Sequence, residues 1–237
     1  DALDERVDCA SSVRIGDRTF RNFESRAYGS ITWRQAISVS CDTVFYKAAE
    51  RIWTSAGGLD GDDDRDAILR SATAMGLGER TGVDLPGEGT GRLPGRAWKR
   101  EYWEATRGDA CRRARTGYPE VDDRSRAAYL TAVARESCAN GYQFRPGDSV
   151  NLSIGQGDML VTPLQMAQVY ATIAGDGSRR TPRLVRGTRS VDGAERDLVL
   201  APATSVRLDA RTNRYLKAAL EDVVTEGTAA GAFRGFD

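Results

Sequence analysis

The strongest constraint in this chain is a corner between two helices. Apolar residues recur at helical spacing from Ile31 to Val39, behind a capping candidate at Ser30 or Thr32. They recur again at Val44, Phe45, Ala48, Ala49 and Ile52, where Asp42 can cap the second helix. Ser40-Cys41-Asp42 is therefore the junction. A hydroxyl and a carboxylate two residues apart at such a break can face a cleft and move protons. Serine and aspartate are also ordinary caps, so spacing alone leaves both readings open.

Around this corner the chain alternates between helical stretches and shaped loops. Val13 and Ile15 lie on one side of Gly16-Asp17, with Thr19 to Phe23 on the other, which predicts a small β-hairpin. A helix is expected from about Arg65 to Met75, stopped by Gly76. The following segment, Met75 to Glu88, is dense in glycine and proline and must be a shaped loop. Further on, Ala127, Leu130, Ala134 and Cys138 give helical spacing between Asp122 and Cys138.

The clearest local signal is Thr162-Pro163-Leu164-Gln165. Thr162 caps, Pro163 fits the first helical position and Gln165 closes a capping box, with Met166, Val169, Tyr170 and Ile173 expected to face inward and Gly175 to end the helix. Arg183 to Thr188 and Leu198 to Ala201 read as short strands or irregular links around Val191-Asp192-Gly193. A last helix is predicted from Asp209 to Thr225, ended by Gly227, with Leu216, Ala219, Leu220, Val223 and Val224 inward.

Composition removes several function classes. The 237 residues, 40% hydrophobic, suffice for one large or two small domains with a real core. Lys+Arg and Asp+Glu balance at 34 each, so a nucleic-acid partner has no electrostatic support. With no histidine, Ser-His-Asp and Cys-His catalysis and most zinc sites are excluded. No apolar run is long enough to cross a bilayer, and Asp1-Ala2-Leu3-Asp4 has no signal-peptide character. The four cysteines show no Cys-x-x-Cys spacing; Cys111 and Cys138 bracket one helical stretch, and their pairing is one of several possible connectivities.

Three stretches resemble one family. Ser40-Cys41-Asp42-Thr43-Val44-Phe45-Tyr46 looks like the second active-site motif of the penicillin-binding protein transpeptidases, with Asp42 where most members have asparagine. Met75 to Glu88, followed by Gly91-Arg92-Leu93-Pro94, is similar to a structural loop of the monofunctional members. Gly155-Gln156-Gly157 with Thr162-Pro163-Leu164-Gln165-Met166-Ala167 is highly characteristic of these domains, where the glycine loop lies beside the second motif. Arg80-Thr81-Gly82 is not the Lys-Thr-Gly motif of that family, because it runs straight into Asp84-Leu85-Pro86.

The resemblance implies an α/β (α+β) fold of the serine β-lactamase and penicillin-binding transpeptidase type, mostly its helical subdomain plus part of the sheet subdomain. It divides residues 1–237 into a β-hairpin region (1–30), the Ser-x-Asp helices and glycine/proline loop (31–98), an insertion (99–146), and the Gly-Gln-Gly loop with the helices after it (147–237). The insertion is expected to be a solvated helical excursion, stapled if Cys111 and Cys138 pair. The implied activity is that of a class B, elongation-type peptidoglycan D,D-transpeptidase acting through an acyl-serine. Ser40 would shuttle a proton, and Asp42 would hydrogen-bond the catalytic lysine or the substrate amide.

No serine here has a lysine three positions on, and neither Lys47, Lys99 nor Lys217 opens a Lys-[Ser/Thr]-Gly triplet. The chain therefore reads as the middle of such a domain, inactive by itself. Some elongation-type relatives hold zinc near the second motif, using acidic residues, a histidine and the cysteine of the motif; here Asn22 and Tyr28 stand where Asp and His would be, so no metal is expected, nor any cofactor. Cys41 is read as packing. Implied partners are peptidoglycan stem peptides, β-lactams, and the glycosyltransferase and other membrane proteins of an elongation complex, with no nucleic acid. The implied place is the extracytoplasmic face of the bacterial membrane. Alternatives of the same fold are a β-lactam-sensing or hydrolysing relative and a non-catalytic cell-wall or divisome interaction module.

Overall fold

The computed structural model describes residues 5–199, 201–206 and 208–236; the Asp1 to Asp4 stretch and Leu200 of the second expected strand lie outside them. The N-terminal region holds two antiparallel pairs. Strand β1 (Arg6–Cys9) lies against β4 (Gly29–Thr32), and β2 (Ser12–Ile15) turns at Gly16 into β3 (Arg18–Arg21), the hairpin the alternation predicts. Strand β4 occupies the start of the expected first helix. Ser30 pairs opposite Asp8 in that strand, so Thr32 alone caps α1 (Trp33–Ser38), through a capping box with Gln35.

Helix α2 (Asp42–Ser55) follows at once, but Asp42 is not its cap. Cys41 takes that position, and the first-turn amide of Thr43 is satisfied by Asn22 Oδ1 at 2.9 Å, leaving the Asp42 carboxylate uncommitted. After α2 come α3 (Ala67–Ala74), capped by Asp66, the long α4 (Arg96–Thr116), and α5 (Arg124–Asn140), capped by Asp123. Helices α6 (Pro146–Ser153) and α7 (Pro163–Ala174) flank the Gly-Gln-Gly loop. The rest comprises β5 (Ser178–Arg179), the hairpin β6 (Gly187–Arg189) and β7 (Glu195–Asp197), β8 (Thr204–Ser205) paired with β5, and α8 (Ala210–Thr225).

Helix α2 is the hub. One side buries Val44 with Cys9, Ile31, Ala36 and Cys41; another buries Tyr46 and Ala49 with Ile15 and Val150. Helix α6 lies antiparallel along it: Trp53 Nε1 donates to Phe144 O (3.0 Å), Ser149 Oγ donates to Ala49 O (3.4 Å), and Ile154 packs into the Tyr46 cluster. This pairing brings the Gly-Gln-Gly loop, which leaves α6 at Gly155, to the Asp42 end of α2.

The inward face expected for α7 is corrected by the structure. Tyr170 is 54% exposed, while Gln165, Gln168 and Thr172 are buried. What α7 packs on is a glycine/proline loop offering backbone carbonyls, and these need donors. Gln165 Nε2 donates to Glu79 O (2.6 Å) and Thr90 O (2.9 Å), and Gln168 Nε2 donates to Arg180 O (2.9 Å). The loop is latched at its other end by Glu88, which accepts from the amides of Thr81 (2.7 Å) and Gly82 (3.1 Å).

Both cysteine pairs are joined. Cys111–Cys138 ties α4 to α5, as one of the expected connectivities has it, and Cys9–Cys41 ties β1 to the head of α2. Packing alone was therefore an incomplete reading of Cys41. Helix α4 starts ahead of the expected insertion at 99–146: its first residue, Arg96, is buried, with Nη1 3.3 Å from Asp66 and 3.5 Å from Asp63.

Candidate active site

The Ser-Cys-Asp corner is fixed from below and from the side. Below it, the Cys9–Cys41 disulfide and Asn22 hold the backbone; Asn22 Nδ2 donates to Ala10 O (2.9 Å) and Arg26 O (2.7 Å), and Thr43 Oγ1 donates to Ala10 O (2.8 Å). Asn22, where a metal-binding aspartate was considered, thus works as an organiser of loop carbonyls. From the side comes the end of α8. Arg34 of α1 pairs with Asp222, its backbone amide donates to the Tyr215 hydroxyl (2.6 Å), and the Thr228 amide donates to Ser38 O (3.2 Å). Gly227 is essential to this approach, since a Cβ there would sit 2.4 Å from Ser38 O.

Held in this way, Ser40 adopts φ 54°, a left-handed conformation that a Cβ-bearing residue enters only under constraint. Its side chain is exposed, with Oγ 3.2 Å from Thr228 Oγ1. Asp42, half-buried in the first turn of α2, makes no side-chain hydrogen bond among the described residues. Burial pushes its carboxyl above the ordinary aspartate value. One turn on, the Tyr46 phenol is also pushed up, by burial first and then by the Asp42 charge.

The three lysines are engaged elsewhere. Lys47 Nζ reaches Asp8 Oδ2 (3.2 Å), Lys217 Nζ donates to Gly175 O (2.7 Å), and Lys99 Nζ bridges Asp148 (3.1 Å) and Asp158 (2.9 Å). Burial works against the Lys99 charge, but the two carboxylates outweigh it and hold the ammonium above its ordinary value. Because Asp158 follows Gly157, this bridge anchors the Gly-Gln-Gly loop to α4 and α6. Chemically, the corner offers an exposed hydroxyl able to accept and donate a proton, two residues from a carboxylate whose charged form is made costlier by burial.

The resemblance implies that the Gly-Gln-Gly loop lies beside the second motif; in the structure α6, which leads into that loop, runs along α2 toward its Asp42 end. Three supporting residues were missed. Thr228 carries no local signal, Asn22 was weighed only as a departure from a metal set, and Cys9 was indicated solely by the even cysteine count.

Comparison with known proteins agrees with this architecture. A family model for the penicillin binding protein transpeptidase domain matches residues 2–237. The peptidoglycan D,D-transpeptidase MrdA of Acinetobacter baumannii is 28% identical over 215 residues, which are 90% of this chain and 24% of that protein. The chain thus spans about a quarter of that relative's length. Among solved structures, one described as the structural coordination of polymerization and crosslinking by a peptidoglycan synthase complex shares 28% identity at a TM-score of 0.62, over 99% of this chain and 31% of that one. The complex between penicillin-binding protein 2 and MreC from Helicobacter pylori, at 23% identity and a TM-score of 0.64 over 98% and 33%, shares the fold.

Proposed function

We propose, from the premise that this chain belongs to the penicillin-binding protein transpeptidase family and to its class B, penicillin-binding protein 2-like branch, that it forms part of a peptidoglycan D,D-transpeptidase. The reaction is acyl transfer. A serine nucleophile, activated by a lysine three residues on, attacks the penultimate D-Ala carbonyl of a stem peptide and expels the terminal D-Ala. An amine on a neighbouring strand then takes the acyl group. In this reading a Ser-x-x-Lys pair and a Lys-[Ser/Thr]-Gly strand complete the site; neither occurs in the 237 residues, which in the same reading are inactive by themselves.

The observation that carries this reading is the constrained corner: Ser40 is exposed at φ 54°, with Asp42 uncommitted beside it and the Gly-Gln-Gly loop at the same end of α2. Ser40 relays a proton between the two lysines and the leaving amine. Asp42 accepts a hydrogen bond from the catalytic lysine or the substrate amide, and its charge favours a protonated lysine nearby. β-Lactams acylate the same nucleophile. The protein works on the extracytoplasmic face of the membrane with a glycosyltransferase and other elongation proteins, a reading supported by the synthase-complex and MreC-complex structures. Among the described residues no helix is long and apolar enough to cross a membrane.

The test is intact-protein mass after benzylpenicillin, on the full-length protein. One adduct is expected, lost when the nucleophilic serine is replaced and formed about 10²- to 10⁴-fold more slowly in Ser40→Ala, the range for removing a positioned proton-transfer group. A full-length protein that never acylates would instead favour a non-catalytic interaction module of the same fold.

A further inference from the structure

Behind the Gly-Gln-Gly loop lies a second concavity, of about 510 Å³, between the β2–β3 hairpin tip, the facing sides of α4 and α5, and α6. Its volume falls in the range of small-molecule sites. Three aromatic rings line it: Phe20 from the hairpin, and Tyr102 and Trp103 from α4. Trp103 is locked by its indole N–H, which donates to Ser137 O at 2.7 Å, and Tyr102 is stacked on Trp98 with centroids 5.0 Å apart. Both rings are therefore held in place before any ligand arrives.

The polar lining is as informative. Lys99 is neutralised by Asp148 and Asp158, and Arg145 by Glu136, while Asp17 and Arg18 adjoin at the hairpin tip. The site therefore offers almost no net charge to an ion. Uncommitted hydrogen-bonding capacity comes instead from amides: the side chains of Asn140 and Asn151 make no bond within the described residues, and Gln143 uses only its oxygen, toward Arg145 Nε. Rigid aromatic faces with neutral amides match a ligand that is uncharged, ringed and rich in hydroxyl and acetamido groups. The apolar C–H faces of a pyranose pack on the rings, and its polar edges meet the amides. A stem peptide, with free carboxylates, would find among the lining cations only Arg18 at the exposed hairpin tip, since Lys99 and Arg145 are already paired.

We infer that this cavity binds an N-acetylated amino-sugar chain. That the natural ligand is the glycan backbone of peptidoglycan rests on the transpeptidase reading; the sugar class itself rests on the cavity. The position adds a consequence. Asn151 lies directly under Gly157, whose added Cβ would meet Asn151 Cβ at 3.2 Å, so a sugar here sits against the back of the loop that flanks Ser40. Seated on its glycan, a strand would be held while its peptide is processed at the corner.

The experiment titrates the full-length protein with tri-N-acetylglucosamine, following heat by calorimetry and the Trp103 indole N–H by NMR, with a sugar-free stem pentapeptide as second probe. The trisaccharide should bind with a Kd on the order of 1 mM or tighter and move the Trp103 resonance. Tyr102→Ala and Asn140→Leu, both at exposed positions, should each weaken binding at least about tenfold, the equivalent of one good contact. If the first variant unfolds, the second decides. No binding, undiminished binding in both variants, or a Trp103 shift with the pentapeptide alone would each overturn the inference. Benzylpenicillin acylation on the same samples separates the two readings: acylation without sugar binding sinks the glycan site only, and sugar binding without acylation sinks the transpeptidase reading only.

Discussion

At the scale of single residues, Ser40 combines strain with exposure, and the two can be separated by substitution. Glycine enters the left-handed region freely, whereas alanine keeps the Cβ that strains it, and both lose the Thr228 contact. Ser40→Gly should therefore be about 1 kcal/mol more stable than Ser40→Ala in urea unfolding, with both defective in acylation. Equal stability would mean the φ of 54° is not a strain at all. Asp42 gives a pH prediction. Its folded pKa is raised by burial, so its favourable contribution is complete below the unfolded aspartate value and is lost as pH rises through the folded one. Unfolding free energy measured across that window should fall in the wild type relative to Asp42→Asn, and parallel curves would refute the shift. The types and spacing of these two residues were legible from the sequence. The capping role was not, because Asn22, twenty-one residues upstream of the Thr43 amide it accepts from, supplies the oxygen that Asp42 was expected to give.

Whole elements were legible wherever local chemistry decided them. Thr162, Pro163 and Gln165 set the start of α7 without outside help, and the Gly16 turn set the first hairpin. The buried face of α7 was not legible, since its partner is a loop and periodicity assumes an apolar one. Gln165 is fully buried, bonded to the Thr162 amide and to two loop carbonyls. Gln165→Leu should cost about 3 kcal/mol, because it leaves those backbone groups buried and unpaired, and hydrogen exchange should show the loss concentrated around residues 76–92. The disulfides should differ in the same way. Opening Cys9–Cys41, which closes a separation of 32 residues, should cost about 3–4 kcal/mol and loosen the Ser40 corner. Reduction of Cys111–Cys138 should loosen α4 against α5 and leave penicillin acylation by the full-length protein unchanged; loss of acylation there would show that the helical pair steers the corner.

For the molecule as a whole, the most exposed aliphatic side chains among the described residues lie in one stretch of sequence. Leu184 is 67% exposed, Val191 110% and Val199 94%, all in and around the β6–β7 hairpin. A patch of this kind favours association. Light scattering of the 237-residue chain should show concentration-dependent self-association that Leu184→Lys with Val199→Lys suppresses, and an unchanged profile would place the sticky surface elsewhere. No sequence pattern indicated this patch, because short strands of two or three residues carry too little periodicity to assign a face. The seam between Gly227 and Ser38 bears on something different, namely how this protein can evolve. Any side chain at position 227 must push the end of α8 away from Ser38, and with it Thr228 away from the Ser40 hydroxyl. A codon change there alters the second motif without touching it. A substitution at Gly227 would therefore act like one in the active site although the residue carries no chemistry, and drift that spares the Ser40 hydroxyl would have to spare that glycine too.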